Sequence, residues 1–269
     1  MTVSVTRAVM AKKLRRVVVV SDLHCGHIVG LTHPDFDGDR RDAELHKLYA
    51  ARREYWNFYI REMAALRPVD ILVVNGDAID GKGERSGGTE LITADRNEQV
   101  DMAVAAIEAT GKPDIYMVAG TPYHVGVSED WERQIVQRVK ALKFGIHDWI
   151  NVNGLTLDYR HFVSGSQIPY GRHTAVARER LWNVMWAEDA YPHSDVIIRS
   201  HVHYFSYAGG VNWLGVTTPA LQGLGTKYGA GRISGTVNFG FIHFDIAGRD
   251  DWSWSRHILK LKPQAALVA

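Results

Sequence analysis

Three short runs of β-branched and apolar residues, 17–21 (VVVVS), 71–75 (ILVVN) and 115–119 (IYMVA), punctuate the first half of the chain. A strand with one face in water alternates between apolar and polar positions, whereas a strand covered on both faces reads as an unbroken run. These three therefore predict neighbouring strands of a parallel sheet. Between the first two, Leu45, Leu48, Tyr49, Trp56, Tyr59, Ile60, Met63 and Leu66 recur at spacings of three, four or seven. That period lays them along one side of a helix over 43–66, and Pro68 follows its end. Val100, Val104 and Ile107 repeat the pattern within 91–109, closed by Gly111 and Pro113. The first half thus predicts strand, helix, strand, helix, strand. A further helix is expected from Ser128 to about Leu142, with Glu129 and Asp130 in the first turn, where the helix dipole favours negative charge.

The second half changes texture. Residues 155–161 alternate like a strand, 175–187 carry a helical pattern, and 196–200 form another apolar run. After Gly209 the segments 211–216, 236–246 and 252–262 predict hairpin strands, with Gly223, Gly225, Gly229, Gly231 and Gly235 as punctuation between them. The glycine-rich stretch reads equally as a loop over a site or as a surface turn. No repeat, low-complexity tract or linker interrupts the pattern. The expectation is one domain over 1–269, with 1–15 as a lead-in and two sheets flanked by helices.

Composition narrows the class. Hydrophobic residues at 46% and charged residues at 23% are ordinary for globular proteins, which argues against disorder, collagen-like repeats and disulfide scaffolds. Thirty-one basic against 30 acidic residues leave a net charge of +1, so no global field draws in nucleic acid or an anionic membrane. The apolar run at Val17 to Val20 falls far short of the ~20 residues that span a bilayer. Lys12, Lys13, Arg15 and Arg16 precede it, but the ~7 to 15 apolar residues of a secretory signal are missing. With Cys25 as the single cysteine, no internal disulfide forms. Cytoplasm is the expected compartment.

The thirteen histidines point to chemistry, because several stand where predicted strands end. The ends carry Asp22-Leu23-His24, Asn75-Gly76-Asp77, the loop from Gly120 to His124, His161, and His201-Val202-His203. Ligands of open α/β sheets bind at the carboxyl ends of the strands. Each element alone has a plainer account. Asp22 can cap a turn while His24 bonds a carbonyl, Asp77 suits a turn after glycine, and His124 or His161 can be satisfied inside a core. His-x-His is more informative, since alternate residues of an extended segment point the same way. Taken jointly, two carboxylates and four imidazoles form a mixed oxygen and nitrogen shell in which Asp77 can bridge two ions. That shell suits two divalent transition-metal ions, manganese first, with iron, zinc, cobalt or nickel as alternatives, rather than a calcium cage or a thiolate zinc site. Two ions ~3.5 to 4 Å apart activate water and neutralise charge in an in-line displacement at phosphorus.

These residues resemble the motifs of the calcineurin-like metallophosphoesterase superfamily, in the order DLH, NGD, a Gly-to-His loop, a lone His and HVH. The resemblance covers Asp22 to His203, about two-thirds of the chain. It implies a four-layer α/β/β/α sandwich with two mixed sheets flanked by helices. It also implies Asp22, His24, Asp77 and His203 around one ion, and Asp77, His161 and His201 around the other. The family's third motif is Gly-Asn-His followed by an acid, with the Asn on the second ion. Here the loop reads Gly120-Thr121-Pro122-Tyr123-His124-Val125, so Thr121, Tyr123 or water must take that place. His124 remains as the group that protonates the departing oxygen. Ser200 and Phe162 stand where the family has glycine, a departure that concerns local packing.

Arg85, Arg172 and Arg199 are candidate phosphate contacts, with surface charge or salt bridges as the plainer reading. Arg199 is not assigned, because it would alternate with the buried strand. Tyr123 either stacks on a base or packs, and Cys25 is expected to be a small packed residue. The expected activity is hydrolysis of phosphodiesters of nucleotide or cyclic-nucleotide type by a water activated between the ions. The partner is then a nucleotide-like phosphoester. A nuclease of the same fold is the second reading, disfavoured by the absence of an evident basic groove. A non-catalytic scaffold of that fold is the third, disfavoured because six metal-binding side chains and the acid histidine are all present.

Overall fold

The computed structural model describes residues 13–37, 43–126, 130–224 and 237–261. Its strands are β1 (Arg15–Val20), β2 (Ile71–Asn75), β3 (Asp114–Val118), β4 (Lys143–Gly145), β5 (His147–Val152), β6 (Leu155–Arg160), β7 (Val196–Arg199), β8 (Ser206–Gly210), β9 (Trp213–Thr217), β10 (Phe239–Ile246) and β11 (Trp252–Leu259). The helices are α1 (Ala43–Ala65), α2 (Arg96–Glu108), the short α3 (Pro122–Val125), α4 (Glu132–Arg138) and α5 (Arg172–Glu188). One sheet has the order β11-β10-β1-β2-β3-β4 and the other β5-β6-β7-β9-β8. In the first, β1 to β4 are mutually parallel, and β10 and β11 join antiparallel on the β1 side. In the second, β6, β7 and β9 are parallel, with β5 and β8 antiparallel at the edges.

The valine run of β1 shows why both faces had to be apolar. Val17 and Val19 join Ile71, Val73, Leu157, Tyr159, Ile198 and Val216 in a core between the two sheets. Val18 and Val20, on the opposite face, pack with Leu72, Val74, Tyr59, Met63 and Val104 under α1 and α2. All four valines are fully buried. Fully burying a side chain of this size contributes about 1.5–3 kcal/mol, so one strand anchors two layers at once. Across the other sheet, α5 packs on β8 and β9, with Val176 beside Gly215. The result is an α/β/β/α sandwich with two mixed sheets.

Several boundaries differ from the sequence pattern, each for a local reason. Helix α2 begins at Arg96 rather than 91, because the Asp95 carboxylate accepts the Asn97 N–H at 2.8 Å and caps it there. Helix α4 is confined to Glu132–Arg138, and Lys140, with φ of 53°, turns the chain out of it toward β4. Its expected start at Ser128 and Glu129 lies outside the described residues. Of the hairpin strand expected over 211–216, residues 213–216 belong to β9, while 211–212 form the turn from the unexpected β8, with Val211 fully exposed. Most of the glycine-rich stretch, including Gly225, Gly229, Gly231 and Gly235, lies outside the described residues. Among the described residues, no helix is long and apolar enough to cross a membrane.

Candidate metal centre

Parallel strands send their carboxyl ends to the same edge, and the five chemistry-bearing loops meet there. Asp22 and His24 follow β1, Asp77 and Asp80 follow β2, Thr121 and His124 follow β3, His161 follows β6, and His201 and His203 follow β7. The β1 and β2 loops stay paired beyond their strands, with Asp22 N–H donating to Gly76 O at 3.0 Å and His24 N–H to Asp77 O at 3.0 Å. Ser200 N–H donates to His161 O at 2.8 Å and joins the β6 and β7 ends. Gly76 is required here, because its φ is 84° and a Cβ would stand 2.5 Å from His161 Nδ1.

The backbone at this edge is strained. Eight non-glycine residues among those described have positive φ, and five of them are Asp22, His24, Asp77, His201 and His203. Such a conformation costs about 1–3 kcal/mol per residue and persists where surrounding structure over-determines it. It therefore singles out these five positions independently of their side-chain chemistry.

Two triads of donor atoms result, Asp22 with His24 and His203, and Asp77 with His161 and His201, each drawn within 4.8 Å. A third grouping, His24, Asp77 and His124, links them. In the first triad His24 Nε2 lies 3.2 Å from His203 Nε2, and His203 Nε2 lies 3.2 Å from Asp22 Oδ1. In the second, His161 Nε2 is 3.0 Å from Asp77 Oδ2. Donors bound to one ion at 2.0–2.2 Å stand about 3.0–3.5 Å apart at right or tetrahedral angles, so these separations suit a shared cation. The outward nitrogens are already engaged: His24 Nδ1 bonds the Asp80 carboxylate at 2.8 Å and His161 Nδ1 the Asn75 carbonyl at 2.8 Å. That arrangement fixes the tautomer and turns each Nε2 inward, as for metal-binding histidines. Asp22 Oδ1 is buried with no partner in hydrogen-bonding geometry. The donor set fits a divalent transition metal.

Of the two residues considered for the place of the missing asparagine, Thr121 is the one brought to the second triad. Its N–H donates to Asp77 Oδ1 at 2.6 Å and its hydroxyl to Asp77 Oδ2 at 3.1 Å. The same Oγ1 lies 3.3 Å from His161 Nε2 and 3.3 Å from His201 Nδ1. Tyr123 instead sets its ring edge-on to His124 at 4.8 Å. His124 donates from Nδ1 to the Asp80 carbonyl at 2.8 Å, and its ring meets that of His24 at 4.6 Å.

The electrostatics favour a cation. Burial pushes the carboxyls of Asp22 and Asp77 upward, yet the facing histidines, His203 for Asp22 and His161 for Asp77, hold both well below the usual carboxylate range. Burial alone would depress His161, but Asp77 and then Asp22 lift it to about 10. His161 thus stands in for positive charge that the two carboxylates require. Burial lowers His24, and burial reinforced by His161 brings His201 to about 4, leaving neutral rings with free lone pairs.

Four supports were missed in the sequence. Asp80 holds both His24 and His124, and its position three residues past Asp77 was the available signal. Glu132, fully buried on α4, accepts Ala78 N–H at 2.9 Å and Gly120 N–H at 2.7 Å, tying the β2 and β3 loops together. Burial pushes its carboxyl up to about 7. Gln99 of α2 bonds both the N–H and the carbonyl of Gly81 at 2.8 Å, which fixes the loop just past Asp80. Ser200, expected to matter only for packing, accepts from Asn75 Nδ2 at 2.6 Å and lies 2.7 Å from Thr218 Oγ1 in a buried hydroxyl chain that reaches Ser21.

The arginines are placed elsewhere. Arg199 is fully buried between Asp158 and Glu179, Arg172 stacks on the Tyr204 ring at 4.5 Å, and the Arg85 side chain lies outside the described residues. Cys25 is buried as a small packed residue whose Sγ approaches Leu31 O at 3.2 Å, and burial raises its thiol pKa.

No protein-family model and no curated protein sequence matches the chain. Among solved structures it is similar to wild-type Vps29 complexed with zinc from Entamoeba histolytica, at 12% identity over 90% of this chain and 98% of that one, with a TM-score of 0.45. It is similar to vacuolar protein sorting 29 from Cryptosporidium parvum at 10% identity over 92% and 99%, TM-score 0.47. It is also similar to an archaeal phosphodiesterase at 11% identity over 90% and 99%, TM-score 0.40.

Proposed function

We propose that the chain is a calcineurin-like metallophosphoesterase that hydrolyses phosphodiesters of nucleotide or cyclic-nucleotide type. The observation that carries this reading is the pair of donor triads, Asp22/His24/His203 and Asp77/His161/His201, with donor separations of 3.0 to 3.2 Å where they are closest. Asp22, His24, Asp77 and His203 would hold one divalent ion. Asp77, His161, His201 and the Thr121 hydroxyl would hold the other. Manganese is the first choice for this oxygen and nitrogen set, with iron, zinc, cobalt or nickel as alternatives. Bound there, the pair supplies water of lowered pKa and neutralises charge on the phosphoryl oxygens.

The remaining work falls to side chains. His124 is oriented by the Asp80 carbonyl at Nδ1, which leaves Nε2 to pass a proton to the departing oxygen. Asp80 couples that acid to His24, so the ligand and the acid keep one spacing. Glu132 keeps the Asp77 and Thr121 loops at a fixed separation through its two backbone hydrogen bonds. The test is turnover of bis(p-nitrophenyl) phosphate with Mn²⁺, after chelation, and in Asp77→Ala. Chelator-sensitive turnover that falls by more than about 100-fold in the variant is expected, since outer-shell partners alone are worth 10–100-fold. Turnover indifferent to both chelator and variant would refute the reading.

A further inference from the structure

Beside the second triad opens a cavity of about 400 Å³, within the range that holds small ligands. Thr121 and His161 are among its lining residues, so it adjoins the candidate metal centre. Phe162 and Ile146 form part of its walls and are 53% and 77% exposed, although both are large and apolar. Phe162 directly follows the ligand candidate His161, and its ring meets that of His201 at a tilt of 43° with centroids 5.0 Å apart. The ring is thus steadied by His201 while about half of the side chain stays exposed. An exposed aromatic face beside a polar centre is a platform for another planar ring, and a nucleobase offers one whatever its sequence identity.

We propose that this cavity seats the nucleobase of a nucleotide phosphodiester, with Phe162 as its stacking platform. Phe162 is then a specificity-determining residue, and the substrate class is a nucleoside ester rather than an alkyl or glycerol diester. This deepens the phosphodiesterase reading and rests on it.

The experiment uses the full chain with Mn²⁺ and two esters with one leaving group, the p-nitrophenyl ester of adenosine 5′-monophosphate and p-nitrophenyl methyl phosphate. The ratio of kcat/KM between them is measured for the wild type, Phe162→Ala, Phe162→Leu and Phe162→Tyr. The expected result is a preference for the adenosine ester that falls about tenfold, chiefly through KM, in the Ala and Leu variants and survives in Tyr. An unchanged ratio in Ala and Leu, with chelator-sensitive hydrolysis intact, overturns the base site and leaves the phosphoesterase reading standing. Equilibrium dialysis of adenosine 5′-monophosphate against metal-free protein gives the independent arm. Phe162-dependent binding in a protein that hydrolyses neither ester keeps the site and overturns the phosphoesterase reading, whereas neither binding nor hydrolysis overturns both.

Discussion

Two buried clusters of charge among the described residues, one between the second sheet and α5 and one at the strand tips, are built in opposite ways. Between that sheet and α5, Arg199 donates to Asp158 at 2.6 Å and to Glu179 at 2.8 Å, Arg160 donates to Glu179 at 2.7 Å, and His147 bonds Asp158 at 2.9 Å. Every carboxylate there has a cation supplied by the chain. At the strand tips, no lysine or arginine among the described residues pairs with Asp22 or Asp77, and the groups there that can carry positive charge are imidazoles. Buried charge costs several kcal/mol per ion unless it is paired. The first cluster therefore closes on itself and holds the fold, whereas the second relies on imidazoles and, under the proposed function, would be completed by a cation from outside.

Breaking the closed cluster should have the largest effect. Arg199→Met leaves Asp158 and Glu179 facing a buried void of charge, and should lower the unfolding free energy by about 3–5 kcal/mol, read from the urea midpoint at unchanged m. The open cluster should behave in reverse and gain from its missing partner. Mn²⁺ at about 100 times its Kd should raise the unfolding free energy by about 2.7 kcal/mol, an increment that Asp77→Ala should abolish. If the metal-free wild type and the Mn²⁺-saturated one unfold at the same urea concentration, the contrast between the clusters is wrong.

A finer cut removes only the partner of a ligand. Asp80→Asn takes the charge from His24 Nδ1 and should weaken Mn²⁺ binding by about 10–100-fold, measured by calorimetry. The smallest effect is that of acid. Burial pushes Asp158 up, but Arg199 and then His147 bring its pKa below 3.8. A carboxylate depressed in the folded state stabilises above its unfolded pKa and loses that contribution as pH falls through the lowered value. Stability should therefore decline below about pH 4 in the wild type, and less steeply in Arg199→Met. Parallel acid limbs in the two proteins would remove Asp158 from the account.

The two clusters also differ in how far they could be read beforehand. The strand-tip residues were legible because they sit in short ordered motifs at the ends of apolar runs, where alternation and chain order already imply a common edge. Arg199 and Glu179 carried no such signal. An arginine in a buried strand and a glutamate midway along a helix become informative only when α5 crosses the sheet and brings them to 2.8 Å. Glu132 and Asp80 stayed hidden for a related reason, since each acts on a backbone group or on a neighbour's outer nitrogen rather than at the centre of the site.

Local physics was sufficient for the apolar strands, the long helices and the edge at which the chemistry gathers, because periodicity and β-branched runs are properties of neighbouring residues, but β4, β5, β8 and α3 carried no such pattern. It did not separate Thr121 from Tyr123, which differ by two positions in one loop. The turn after β3 sets them apart in space: Thr121 N–H reaches Asp77 at 2.6 Å, while the Tyr123 ring is carried against His124. Nor could periodicity foresee five left-handed backbones at Asp22, His24, Asp77, His201 and His203. Such conformations cost energy locally and are held only by contacts between distant segments, so the tertiary structure alone could impose them.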